Sequence, residues 1–90
     1  DIWVPTAFSP NGDGNNDVVF VNGWGVKTLL EYQIFNRWGQ LIFTTSNMHE
    51  GWDGTFNGAL QSSDIYVYKV KALTWKNIEI KEEGYINLVR

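Results

Sequence analysis

"DIYVYKVKAL", residues 64–73, is the stretch on which the fold turns. Its side chains alternate with period two, placing Tyr66, Tyr68, Val70 and Ala72 on one face and Ile65, Val67, Lys69 and Lys71 on the other. That period belongs to a strand with one buried face, and the aromatic and β-branched residues suit a pleated surface. The first set is assigned to the core.

Outward from this strand, the clearest hairpin is "YQIFNRWGQLIF", residues 32–43. Two apolar runs flank Asn36, Arg37, Trp38 and Gly39, and Gly39 can take the left-handed position that closes a type I turn with a bulge. Further strands are expected at 2–4, 17–22, 29–36, 40–45, 65–74, 76–81 and 85–89, with a short one at 55–57 inside the irregular stretch 46–64. No segment sustains a helical period. The pattern predicts an all-β chain, an immunoglobulin-like antiparallel sandwich of about seven strands without the Cys and Trp spacing of antibody domains.

Composition narrows the function classes. Ninety residues suit a single domain, expected to span 1–90, and fourteen aromatics, five of them Trp, point to an aromatic-rich core. The absence of Cys removes disulfides, thiolate metal sites and cysteine nucleophiles. Ten acids against seven bases give a net charge of −3, with no basic cluster dense enough to track phosphates, so nucleic acid is not an expected partner. The longest apolar run, "VVFV" at 18–21, is far too short to span a membrane, and "DIWVPTAF" carries no signal-peptide pattern.

Catalysis is not expected. The single histidine, His49, lies in a polar loop, and no nucleophile and base pair can be assembled around it. A cation site has more in its favour. In "FSPNGDGNND", residues 8–17, Asn11, Asp13, Asn15 and Asp17 form an alternating ladder of oxygen ligands that would suit weak Ca²⁺ binding. The EF-hand register breaks, however, because counting from Asn11 puts Asn16 where the turn Gly belongs and Asn22 where the bidentate Glu belongs. Asx-turns and the positive φ available to Gly12 and Gly14 explain the composition more simply, so no cofactor beyond weak Ca²⁺ is expected. Trp38 and Trp52 read equally as docking residues or as core, and Asp53 as a turn residue.

Five segments in order, "PTAFSPNGDGNND", "YQIFNRWGQLIF", "GWDGTFNG", "IYVYKV" and "GYINLVR", cover essentially the whole chain. Together they resemble the gliding-motility-associated C-terminal domain, the type B sorting signal of the type IX secretion system. Two positions depart from what the resemblance implies: Asn15 stands where members commonly carry an apolar residue, and Asp64 where they commonly carry Gly. The resemblance implies a non-catalytic C-terminal module of a larger secreted or surface protein of a Gram-negative bacterium. Its cargo would pass through the periplasm and then the outer membrane. The implied partners are translocon components and an associated outer-membrane β-barrel protein, and the isolated domain is expected to be a monomer. Loops 9–17, 36–39 and 51–58 are the expected contacts, with Asn11, Gly12, Asp13, Gly14, Asn16, Asp17, Asn36, Arg37, Trp38, Gly39, Trp52 and Asp53 as recognition residues. The basic residues Lys69, Lys71 and Arg90 are the fallback surface. A Ca²⁺-stabilised adhesion or carbohydrate-binding module, with Trp52 and Asp53 at its sugar site, is the alternative.

Overall fold

The computed structural model of the chain describes residues 1–14 and 16–90. Among the described residues there are nine strands and no helix: β1 (Ile2–Trp3), β2 (Ala7–Phe8), β3 (Asn22–Gly23), β4 (Val26–Phe35), β5 (Leu41–Thr45), β6 (Thr55–Phe56), β7 (Ala59–Leu60), β8 (Asp64–Thr74) and β9 (Glu79–Leu88). Five of them form the main sheet in the order β2-β9-β8-β4-β5. The second layer is slighter, built from the two-stranded pairs β1-β3 and β6-β7 and an isolated bridge between Val19 and Trp52. The expected sandwich is present, with more and shorter strands than the sequence pattern suggests. One pairing, β2 with β9, is parallel and not antiparallel.

β8 is the centre of the main sheet. Tyr66, Tyr68, Val70 and Ala72 are all buried, as the alternation requires. They share the inward face with Leu29, Tyr32 and Ile34 of β4 and with Ile86 and Leu88 of β9. Phe8 of β2 adds to the same face, and Ile2, Val4, Val19, Val21 and Trp52 close the core from the other layer. Burying such side chains contributes roughly 1.5–3 kcal/mol each, which is how a small chain without crosslinks stays folded.

Two local differences from the sequence expectation have clear causes. Residues 76–81 and 85–89 were expected to be separate strands, but β9 runs through Gly84 without a break. Gly84 pairs opposite Tyr68, and the Tyr68 ring lies across it, so that a Cβ at this position would meet ring atoms at 2.8–3.0 Å. The glycine makes room for an aromatic ring and does not end a strand. Residues 17–22 were expected to be one strand. They do alternate, with Val19 and Val21 buried and Val18 and Phe20 exposed, yet only Val19 pairs there, before β3 begins at Asn22.

The 36–39 hairpin forms as its residues predict. Gly39 adopts φ 79°, its N–H donates to the Asn36 carbonyl at 2.9 Å, and the Asn36 N–H donates to the Gln40 carbonyl at 3.0 Å. The Asn36 side chain accepts from the N–H groups of Trp38 and Gln40, both at 3.0 Å, and fixes the turn from inside.

Candidate functional site

The register of the main sheet gives the molecule two ends. At one, Phe35 pairs with Val67 and Asp64 pairs with Leu88, bringing together turn 36–39, the start of β8 and the end of β9. At the other, Val26 pairs with Thr74 and Leu73 with Glu79, next to the exposed tryptophans Trp24 and Trp75. The expected recognition loops gather at the first end.

Loop 9–17 organises itself around the Asp17 carboxylate. One carboxylate oxygen accepts the N–H groups of Asn11 and Gly12, both at 3.1 Å, and the other accepts the N–H of Gly14 at 2.8 Å. The Asn11 side-chain oxygen accepts the Asp13 N–H at 3.1 Å, and the Asn16 carbonyl accepts the Ser9 N–H at 2.9 Å. Gly12 and Gly14 hold φ values of 81° and 84°, angles that side chains resist and that turn successive N–H groups towards one anion. Asp17 therefore supplies the negative charge that this nest of donors binds. Of the expected cation ladder, Asn15 lies outside the described residues. The carboxylate of Asp17 and the amide oxygen of Asn11 are engaged by main-chain donors. Among the described residues, no group of three or more His, Asp or Glu side chains is arranged to hold a metal ion.

Loop 51–58 is tied to the core by Trp52. Its ring is only 1% exposed, lies 5.4 Å from Phe8 and 4.9 Å from Tyr66 between ring centroids, and donates its indole N–H to the Thr55 carbonyl at 2.8 Å. A ring so placed cannot stack on a sugar or touch a partner, so Trp52 acts on this surface only by holding the loop in place. Asp53 accepts the Thr55 N–H at 3.0 Å in the expected Asx-turn.

Trp38 is the opposite case, 82% exposed at the tip of its turn, with the Arg37 guanidinium 5.4 Å from its ring centroid. Arg37 also pairs with Asp64 at 3.5 Å. Asp64 thus starts β8 and anchors the neighbouring turn. Pairs as exposed as this one are worth less than about 1 kcal/mol, so its effect is orientation more than stability.

Arg90 joins the loops to one another. Its Nε donates to the Gln61 carbonyl at 2.7 Å, one terminal nitrogen to the Pro10 carbonyl at 3.2 Å and the other to the Gly54 carbonyl at 3.0 Å, while its main-chain N–H donates to the Ser63 hydroxyl at 3.0 Å. A planar guanidinium with a fork of donors can reach three carbonyls on three segments, where an ammonium could not match the geometry. Sequence reasoning grouped Arg90 with Lys69 and Lys71. The structure separates them: Lys69 and Lys71 lie on the outer face of β8 opposite Glu83 and Glu31, at 4.0 and 3.9 Å, and Arg90 lies among the loops.

Two tyrosine hydroxyls titrate unusually, and both belong to the core. Burial, then the neighbouring Tyr68, pushes Tyr32 well above the ordinary tyrosine range, and its hydroxyl donates to the Val19 carbonyl at 3.1 Å. Burial, then Glu82, also raises Tyr68. Neither lies beside a nucleophile or an oxyanion-binding group, and neither gives the loop end acid or base chemistry.

The fold is thus an aromatic-cored β-sandwich with loops 9–17, 36–39 and 51–58 at one end. The family model of the CHU_C Type IX secretion signal domain matches residues 2–88, and the chain belongs to that family. The domain is thus of a secretion-signal family and not an enzyme family, which implies contact with the secretion machinery and export to the cell surface or beyond. No curated protein matches the sequence. No helix among the described residues is long and apolar enough to cross a membrane.

Proposed function

We propose that this domain is a non-catalytic address, recognised as a folded object by type IX translocon components and an associated outer-membrane β-barrel protein. It directs an attached cargo from the periplasm across the outer membrane of a Gram-negative bacterium. The observation that carries this reading is the convergence of loops 9–17, 36–39 and 51–58 at one end of the sandwich, where the Arg90 guanidinium ties Pro10 to Gly54 and Gln61 and the Arg37–Asp64 pair holds the 36–39 turn. Loops fixed in this way present a preformed surface, and recognition then costs little ordering entropy. Asp13, Arg37 and Trp38 supply charge and an exposed aromatic ring to that surface, and Arg and Trp are enriched where interfaces concentrate their energy. We expect no cation to be needed, because main-chain donors already engage Asp17.

The experiment is export of a fluorescent reporter fused before Asp1 in a gliding bacterium that has the secretion system. Reporter carrying the domain should reach the medium or cell surface, and reporter without it should stay in the periplasm. Equal export of the two would sink the proposal.

A further inference from the structure

The main sheet has two edges without a neighbouring strand, and they are dressed differently. Beyond its short pairing with β2 at Asn87 and Leu88, β9 leaves residues 79–86 uncovered on one side, and that stretch carries Glu79, Lys81, Glu82 and Glu83. Charges of this kind are how sheet proteins protect an edge from unwanted pairing. β5 is the other edge. It pairs only with β4, no hydrogen bond from another described residue reaches its main chain from the far side, and its five residues, Leu41, Ile42, Phe43, Thr44 and Thr45, include no charge and no proline. Apart from the Glu50 carboxylate, which accepts from the Thr45 hydroxyl at the end of the strand, this edge lacks that protection, and its row of N–H and C=O groups can template another strand.

The surface beside β5 adds side-chain chemistry. Leu41, 41% exposed, pairs opposite Phe35, which pairs opposite Val67, so an apolar row runs inward from the edge across the outer face. A groove of about 310 Å³ opens along that row, lined by Phe35, Asn36, Arg37, Gly39, Val67 and Lys69, with the Lys69 ammonium 5.4 Å from the Phe35 ring centroid. The bulge in β5 opposite Ile34 and Phe35 limits the registers an incoming strand can adopt.

We propose that β5 receives an extended strand of the export partner, apolar on the side facing Leu41 and Phe35. This rests on the sorting reading above and deepens it by naming how the partner engages the domain. The partner is preferred over a second copy of this chain on two grounds. Five residues give an edge about 17 Å long, far too little to bury the roughly 800 Å² per partner of a stable dimer but enough for a passing contact. Each copy also carries a net charge of −3, which opposes self-association.

The test is reporter export by Thr44→Lys, Leu41→Lys and Thr44→Val domains, with purified variants followed by thermal unfolding and light scattering. Thr44 is exposed and opposite Gln33, so a lysine there charges the edge without entering the core. Thr44→Lys and Leu41→Lys should each reduce secreted reporter at least tenfold with melting temperatures close to the parent, and Thr44→Val should export fully. Full export by both lysine variants, while removal of the domain abolishes export, would overturn strand addition and leave the sorting role standing. Loss of export by Tyr85→Ser alone, three strands away from β5 on the same outer face, would overturn it in favour of docking across that face. A parent dimer made monomeric by Thr44→Lys would identify a second copy as the occupant and equally overturn it. Export unaffected by removing the whole domain would bring down the sorting role and this inference together.

Discussion

Replacing Arg90 isolates what holds the loops in register. Arg90→Ala removes three hydrogen bonds from a charged donor, to Gln61 at 2.7 Å, Gly54 at 3.0 Å and Pro10 at 3.2 Å. Hydrogen bonds to charged groups contribute about 1.5–3 kcal/mol each when removing one strands a buried partner. Here the side chain is largely at the surface, and the Gly54 carbonyl keeps its second donor, the Gln61 N–H at 2.9 Å, so water and the remaining bond cover most of the loss. A total of about 1–2 kcal/mol is the reasonable figure. In a domain of this size that lowers Tm by roughly 5–10 °C. Arg90→Lys keeps the charge but cannot reach three carbonyls, and should recover less than half of the difference. The assays are thermal unfolding and amide exchange at Gln61, whose N–H should exchange faster in both variants because Gly54 is no longer clamped. A Tm for Arg90→Ala within 1 °C of the parent, or parent-like exchange at Gln61, would refute the clasp.

Three further outcomes follow from the core and the first loop. Gly84→Ala drives a methyl group against the Tyr68 ring and should cost about 1–3 kcal/mol as an overpacking change; Tyr68→Leu in the same chain should return part of it, read as non-additivity in chemical denaturation. Tyr32 keeps its proton more tightly folded than unfolded, so the stability it contributes is complete below the ordinary tyrosine value near 10 and is lost as pH rises above it. Tm should therefore fall steeply above about pH 10, and Tyr32→Phe should flatten that fall even though it forfeits the bond to Val19; an unchanged slope would contradict the assignment. Because main-chain donors already engage the Asp17 carboxylate, chelator should leave Tm unchanged within about 1 °C, whereas Asp17→Ala should lower it by several degrees. A large chelator effect would restore the Ca²⁺ reading.

How much of this was legible in the sequence depended on whether the signal was local. The burial of Tyr66, Tyr68, Val70 and Ala72 follows from period two alone, and the 36–39 turn follows from Gly39 and the Asn36 side chain, all within a few residues. The continuity of β9 across 82–84 was not legible, because what keeps Gly84 inside the strand is the Tyr68 ring, sixteen positions away. β2 and β7 have two residues each, too few for any period to register. Trp52 could be read either way because the residue type fits core and interface alike, and only its contacts with Phe8 and Tyr66 decide. Arg90 was placed in the wrong group for a deeper reason. Its partners are main-chain carbonyls, which every residue has, so no motif announces the clasp.

Recognition through the loop end of the sandwich can be tested against recognition through the opposite end. The direct measurement is secreted reporter per cell for two double variants of the fused domain, each checked for a parent-like unfolding curve. Arg37→Gln with Trp38→Ser alters the exposed turn at the loop end, and Trp24→Ser with Trp75→Ser removes comparably exposed rings at the opposite end. The account predicts export reduced at least tenfold in the first and unchanged in the second. Full export by the first pair with loss in the second would place recognition at the wrong end of the molecule and contradict it.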